Sequence, residues 1–169
     1  GNGGDRGTDL ALDGSGSVYL TGNTDGADFP TTAGAFDTTA NGNYDAFVTK
    51  LDASGAALAY STYLGGNDGD GGLCIALDGA AGATLAGYTF SADFPTTAGA
   101  FDTSYNGGQD AVVAQLNSSG SALSYSTYLG ADDDDEGDGI AVVGPGSAYV
   151  TGLTFSTGFP TTSGAFDPT

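Results

Sequence analysis

The stretch DAFVTKLDASGAALAYSTYLGG, residues 45–66, decides the fold. Over 45–51 the pattern alternates, with Phe47, Thr49 and Leu51 on one face, as a half-buried strand requires. Asp52, Ala53, Ser54 and Gly55 make a tight turn, with glycine where φ > 0 is needed. Over 57–64 a second alternating run sets Leu58, Tyr60, Thr62 and Leu64 in step. Moving outward, 65–72 reads as a Gly/Asp loop, 73–77 as a third strand, 78–82 as a turn and 83–89 as a fourth strand. The long segment 90–109 reads as a loop.

This unit repeats. The run FPTTAGAFD begins at Phe29 and again at Phe94, and it returns from Phe159 to Asp167 with Ser163 in place of alanine, so each step is 65 residues. YSTYLG at Tyr60 recurs at Tyr125, and Gly22, Gly87 and Gly152 fall in one column. Such periodicity marks a tandem array of one supersecondary unit. The expected fold is all-β: tandem four-stranded antiparallel β-propeller-type blades with a 65-residue repeat. The chain divides into the second half of a unit (1–44), a complete unit (45–109) and a nearly complete one (110–169). That amounts to ten strands, or two and a half blades, too few to close a ring of at least four. The first and last blades are expected to leave open edges. The chain is then a window of a longer propeller, a share of a ring built by several chains, or a link in an open head-to-tail filament.

The run 45–66, continued by IALD (75–78), GYT (87–89) and DFPTTAGAF (93–101), resembles the SBBP repeat, a β-propeller repeat of bacterial and archaeal secreted and surface proteins. The resemblance implies an extracellular or cell-surface location and carries over no catalytic residue. One departure is the turn aspartate Asp13 and Asp78, which becomes Val143 in the third copy.

Composition narrows the function. Twenty-one acidic residues against two basic ones give a net charge of −19, so no surface could neutralise nucleic-acid phosphates or an anionic membrane. No apolar run is long enough for a membrane helix, and no signal peptide is visible. Arg6 and Lys50 are the only trypsin-type sites, which suits a protease-rich exterior. The single Cys74 excludes an intrachain disulfide and reads as a packed strand-end thiol. There is no histidine, which removes Ser–His and Cys–His nucleophiles and the usual zinc ligands. Only aspartate pairs could do acid–base work, as in a glycosidase, and no copy stands out with a unique pair.

Three sets of candidate residues remain. The Gly/Asp loops at 2–5, 67–70 and 132–135 share one register, and Asp5, Asp68, Asp70, Asp133, Asp135 and Asp138 are candidate calcium ligands, though the bidentate Glu of an EF-hand loop is missing. Phe29, Phe36, Phe94, Phe101, Phe159 and Phe166 bracket the long loop in each copy, as anchors or as an exposed aromatic surface for carbohydrate or other partners. Asn117 opens the only N-x-[ST] sequon, and the Thr pairs at 31–32, 96–97 and 161–162, with Thr62, are candidate O-glycan acceptors. The expected function is a non-enzymatic structural or adhesive repeat protein, assembling into a fibre, stalk or filament with copies of itself or further repeats. The alternative is a propeller fragment acting as a calcium-dependent binding module.

Overall fold

The computed structural model describes residues 1–80, 82–144 and 146–166; Asp167 of the third FPTT motif lies outside them. Ten strands follow in order: β1 (Asp5–Leu12), β2 (Val18–Thr24), β3 (Asp45–Leu51), β4 (Leu58–Leu64), β5 (Asp70–Leu77), β6 (Ala83–Thr89), β7 (Asp110–Leu116), β8 (Leu123–Leu129), β9 (Asp135–Val142) and β10 (Ala148–Thr154). They form antiparallel sheets in the orders β1-β2-β3-β4, β5-β6-β7-β8 and β9-β10. The architecture is therefore a series of propeller-type blades with no closed ring, two of them complete and one halved.

The period of hydrogen bonding is phased two strands away from units cut at 45 and 110. The long loops 25–44 and 90–109 join β2 to β3 and β6 to β7, each inside one sheet, whereas the short segment 65–69 makes the step to the next sheet. A long loop can stay within a sheet because it is not idle. It folds back along the free edge of β4, where Thr32 N–H donates to Ser61 O (3.0 Å) and Tyr63 N–H donates to Asp37 O (3.1 Å). The second copy does the same on β8, with Thr97 N–H to Ser126 O (3.1 Å) and Tyr128 N–H to Asp102 O (3.1 Å). The edges of β4 and β8 are thus blunted, which removes their capacity to recruit foreign strands. Among the described residues β1, β5 and β9 are edge strands alike, and β10 also has an open edge, where its counterparts β2 and β6 pair with β3 and β7.

The hairpin at 52–55 forms as its sequence dictates. Gly55 takes φ +69°, and the Asp52 carboxylate accepts from Ser54 N (3.1 Å) and Ala56 N (3.0 Å). The strands differ from simple half-buried ones, because in β3 and β7 both faces are covered. Val48 joins the main core with Tyr19, Tyr60, Leu64, Ile75, Leu85, Val112 and Tyr128, while Phe47 on the opposite face stacks on Phe29 with ring centroids 4.5 Å apart. The core is continuous across the two full sheets because β5 packs on β1, β2 and β3. Thr8 Oγ1 donates to Gly72 O (2.6 Å), and Ile75 N–H donates to Asp9 Oδ2 (2.9 Å), tying β1 to β5.

Candidate functional site at the sheet junctions

The strand-opening aspartates build a network that recurs at each junction. Asp5, Asp70 and Asp135 are the first residues of β1, β5 and β9, not loop residues, since the strands reach three positions further toward the N-terminus than the alternation implies. The backbone N–H two residues after the end of the preceding strand donates to each inner oxygen: Gly66 N to Asp70 Oδ2 (2.7 Å) and Ala131 N to Asp135 Oδ2 (2.8 Å). Ser91 and Ser156 donate their hydroxyls to the same oxygens at 3.0 and 2.7 Å. Thr24 and Thr89 hydroxyls donate to Oδ1 of Asp5 and Asp70.

A second acidic column meets the first. Asp45 and Asp110 open β3 and β7, the neighbouring strands in the preceding sheets. A Cβ on Gly65 would stand 2.3 Å from Asp45 Oδ1 and 2.7 Å from Asp70 Oδ2; one on Gly130 would stand 2.5 Å from Asp110 Oδ1 and 2.7 Å from Asp135 Oδ2. Glycine is required there because two carboxylates occupy the space a side chain would take. All four aspartates are buried. Desolvation, reinforced by the neighbouring Asp45 charge, pushes the Asp70 carboxyl up to about 6 against three hydrogen bonds that pull it down. Burial, with Asp135 and Asp102 nearby, likewise pushes Asp110 up to about 6, and burial raises Asp45.

The other candidate ligands lie elsewhere. Asp68 and Asp133 are exposed, with Asp68 Oδ1 accepting from Asn43 Nδ2 (2.8 Å). Asp138 is exposed at the unpaired residue of a β9 bulge. Among the described residues no three His, Cys, Asp or Glu side chains converge as a metal-holding group. Asp45, Asp110, Gly65 and Gly130 were not singled out from sequence. The signal was available, because each pair is separated by the 65-residue step. It was masked because Asp45 reads as a strand start and Gly65 as one glycine among many.

The phenylalanines divide by column and by neighbour. Phe29 packs on Phe47 and Tyr63, Phe94 is buried edge-on to Tyr128, and Phe159 is half-buried beside β9 and β10. Phe36 packs into the core, and its N–H donates to Gly120 O (2.8 Å) in the β7–β8 turn of the next sheet. Phe101 and Phe166, its counterparts, are 71% and 106% exposed, so as placed here they anchor nothing. The physical reason is positional, since the anchor acts on the following blade. Phe36→Ala is therefore expected to cost about 2 kcal/mol or more, and Phe101→Ala to stay within about 0.5 kcal/mol, as read by urea melts. Equal losses would contradict this assignment.

The modification candidates mostly serve the fold. Thr62 is fully buried and donates to Asp37 O (2.9 Å), so it cannot accept a glycan in this fold. Thr32 and Thr97 are the edge-capping residues described above. Asn117 occupies the turn column of Asp52, its Oδ1 accepting from Ser121 N (3.0 Å) and its Nδ2 donating to Ser121 Oγ (3.2 Å). Cys74 is buried with Sγ 3.7 Å from Ala86 O and Gly137 O, and burial pushes the thiol up to about 11. It is a packed thiol, as expected, but it lies inside β5 and not at a strand end, because the strand already begins at Asp70.

A family model described as SBBP, a beta-propeller repeat, matches residues 1–30. That span holds β1, β2 and the start of the first FPTT loop, and part of its sequence, including Asp5, Gly22, Phe29 and Pro30, recurs at the 65-residue step. No curated protein matches the chain.

Proposed function

We propose that this chain is a scaffold unit, whose blades pack on further blades of the same kind to build an extended surface or extracellular structure. The observation that carries the reading is the contrast within a column. Ile75 on β5 is 5% exposed because β5 lies against the preceding sheet, whereas its counterpart Leu10 on β1 is 55% exposed. At the other end Tyr149 on β10 is 66% exposed, while Tyr19 and Thr84, its counterparts, are fully buried. The two end faces are thus the two halves of an interface that the interior of the chain already makes with itself. Such a pair is heterologous and propagates head to tail, through further repeats of a longer chain or through other copies. The sealed edges of β4 and β8 direct joining to the faces and to the open β10 edge.

The carboxylate pairs do not favour a glycosidase, because they stand buried behind glycine and occur in repeated form with no unique sugar cleft. The net charge of −19 opposes association at low ionic strength, so assembly should strengthen with salt. The acidity and the scarcity of basic cleavage sites suit an extracellular setting.

Light scattering and electron microscopy of the purified chain test the reading. The wild type is expected to form multimers or filaments at tens of micromolar protein, and Leu10→Asp with Tyr149→Asp to weaken them at least tenfold. A monodisperse wild-type monomer at high salt would sink it.

A further inference from the structure

Asp45 and Asp110 each keep Oδ1 buried and without a hydrogen-bond partner, and so does Asp135. These three residues are no more than 1% exposed. In Asp45 and Asp110 the orphan oxygen is the one that shares with the facing carboxylate the point where Gly65 or Gly130 would carry a Cβ. A buried, unpartnered carboxylate oxygen is costly, and a second carboxylate beside it adds repulsion. The facing carboxylate pair occurs twice, so it is not an accident of one loop; the two copies differ in that Thr89 donates to Asp70 Oδ1 while Asp135 Oδ1 has no partner.

We propose that each junction is a divalent-cation site of the calcium class, in which Asp45 with Asp70, and Asp110 with Asp135, clamp one ion between consecutive sheets. The donors are all oxygens, as a hard cation prefers, and they come from two sheets, so the ion would link β3 to β5 and β7 to β9. The four carboxylates are buried, and an open cleft lies directly outside the glycine that covers each pair. An open cleft over Gly65 is lined by Asp37, Asn41, Asn67 and Asp93, and its copy over Gly130 by Asn106 and Asp132. Two carboxylates leave the remaining positions to water, hydroxyl and carbonyl oxygens, which calcium's loose shell permits. The absence of a third acidic ligand sets the affinity at the weak end, about 10⁻⁴–10⁻³ M, the range of extracellular calcium modules. Asp68, Asp133 and Asp138 have no part in this site.

Calorimetric titration of the full chain with CaCl2 at neutral pH, paired with melts in EDTA and in millimolar CaCl2, tests the proposal. Two ions per chain and a melting temperature several degrees higher in calcium are expected. Asp45→Asn should reduce the stoichiometry to one, and Asp45→Asn with Asp110→Asn should abolish both binding and the thermal shift. Folding of each variant is checked by circular dichroism in EDTA, where loss of an unpaired carboxylate should leave it at least as stable as wild type. Asp68→Asn with Asp133→Asn should bind as wild type does. Absence of wild-type binding up to 10-fold above the weak limit would show that a shared proton occupies the pair and would overturn the proposal. Unchanged stoichiometry in the double variant would do so too, by moving the ions to the surface. Either failure leaves the scaffold reading standing, since that rests on the end faces.

Discussion

Gly87→Ala is expected to destabilise the protein by about 3 kcal/mol or more, which at this chain length is a fall in melting temperature of roughly 6–12 °C. Gly87 lies in β6 opposite Gly72, where the register of β5 shifts and Leu73 is left unpaired. The bulge drives the neighbouring strand inward, and a Cβ on Gly87 would stand 1.9 Å from Gly71 O. The obstacle is the β5 backbone at Gly71 and Gly72, so no side chain can swing away. The same close approach recurs at Gly22, 1.9 Å from Arg6 O, and at Gly152, 1.8 Å from Glu136 O, which explains why the column holds glycine in all three copies. Gly79→Ala is the control: nothing lies within 4 Å of its would-be Cβ, and a change within about 0.5 kcal/mol is expected. Urea melts of the two variants decide the matter. If Gly87→Ala kept the wild-type midpoint, the bulge would have to relax without cost.

The strand count, the hairpin turns and the 65-residue period were legible in the sequence because alternation and turn chemistry are local. Gly55 needs nothing beyond its own backbone to declare the turn. The partition into sheets was not legible, because a loop's length does not say what it covers. The segment 25–44 reads as a boundary, yet Thr32 and Asp37 bind the β4 edge. The acidic site was legible by half. Asp5, Asp70 and Asp135 stand out as a column, but their partners Asp45 and Asp110 meet them only when consecutive sheets stack. The phenylalanines make the same point, since Phe36 and Phe101 share the run FPTTAGAFD and differ in whether the following sheet offers a turn like that between β7 and β8 to receive them.

In EDTA the protein should be most stable at about pH 4 and should lose stability as the pH rises from there through 6. Asp70 and Asp110 have folded-state values near 6, above the ordinary 3.8 of the unfolded chain. The folded form therefore binds more protons across this window, and stability falls with rising pH until both groups are ionised. For Asp70, which is fully buried, a displacement of about two units corresponds to a change on the order of 3 kcal/mol. Asp45 faces Asp70, and Asp135 and Asp102 face Asp110, so every neighbouring charge acts in the same direction as burial. Below about pH 4 the sign reverses. Hydrogen bonds from Ser15, Ser17 and Lys50 hold Asp13 well below the usual range, and Ser54 and Ala56 hold Asp52 down. Those contributions are complete above the unfolded value and disappear as these turn carboxylates protonate. Melts recorded from pH 3 to 8 should trace this maximum. The −19 net charge adds a slope of the same sign at higher pH, so the decisive comparison is with Asp45→Asn and Asp110→Asn together. In that variant an amide Nδ2 in place of each orphan oxygen can donate to the facing carboxylate, which should raise stability at pH 7 and flatten the fall between about pH 4 and 6. A double variant that kept the full wild-type slope would assign the pH dependence to general repulsion and not to the junctions.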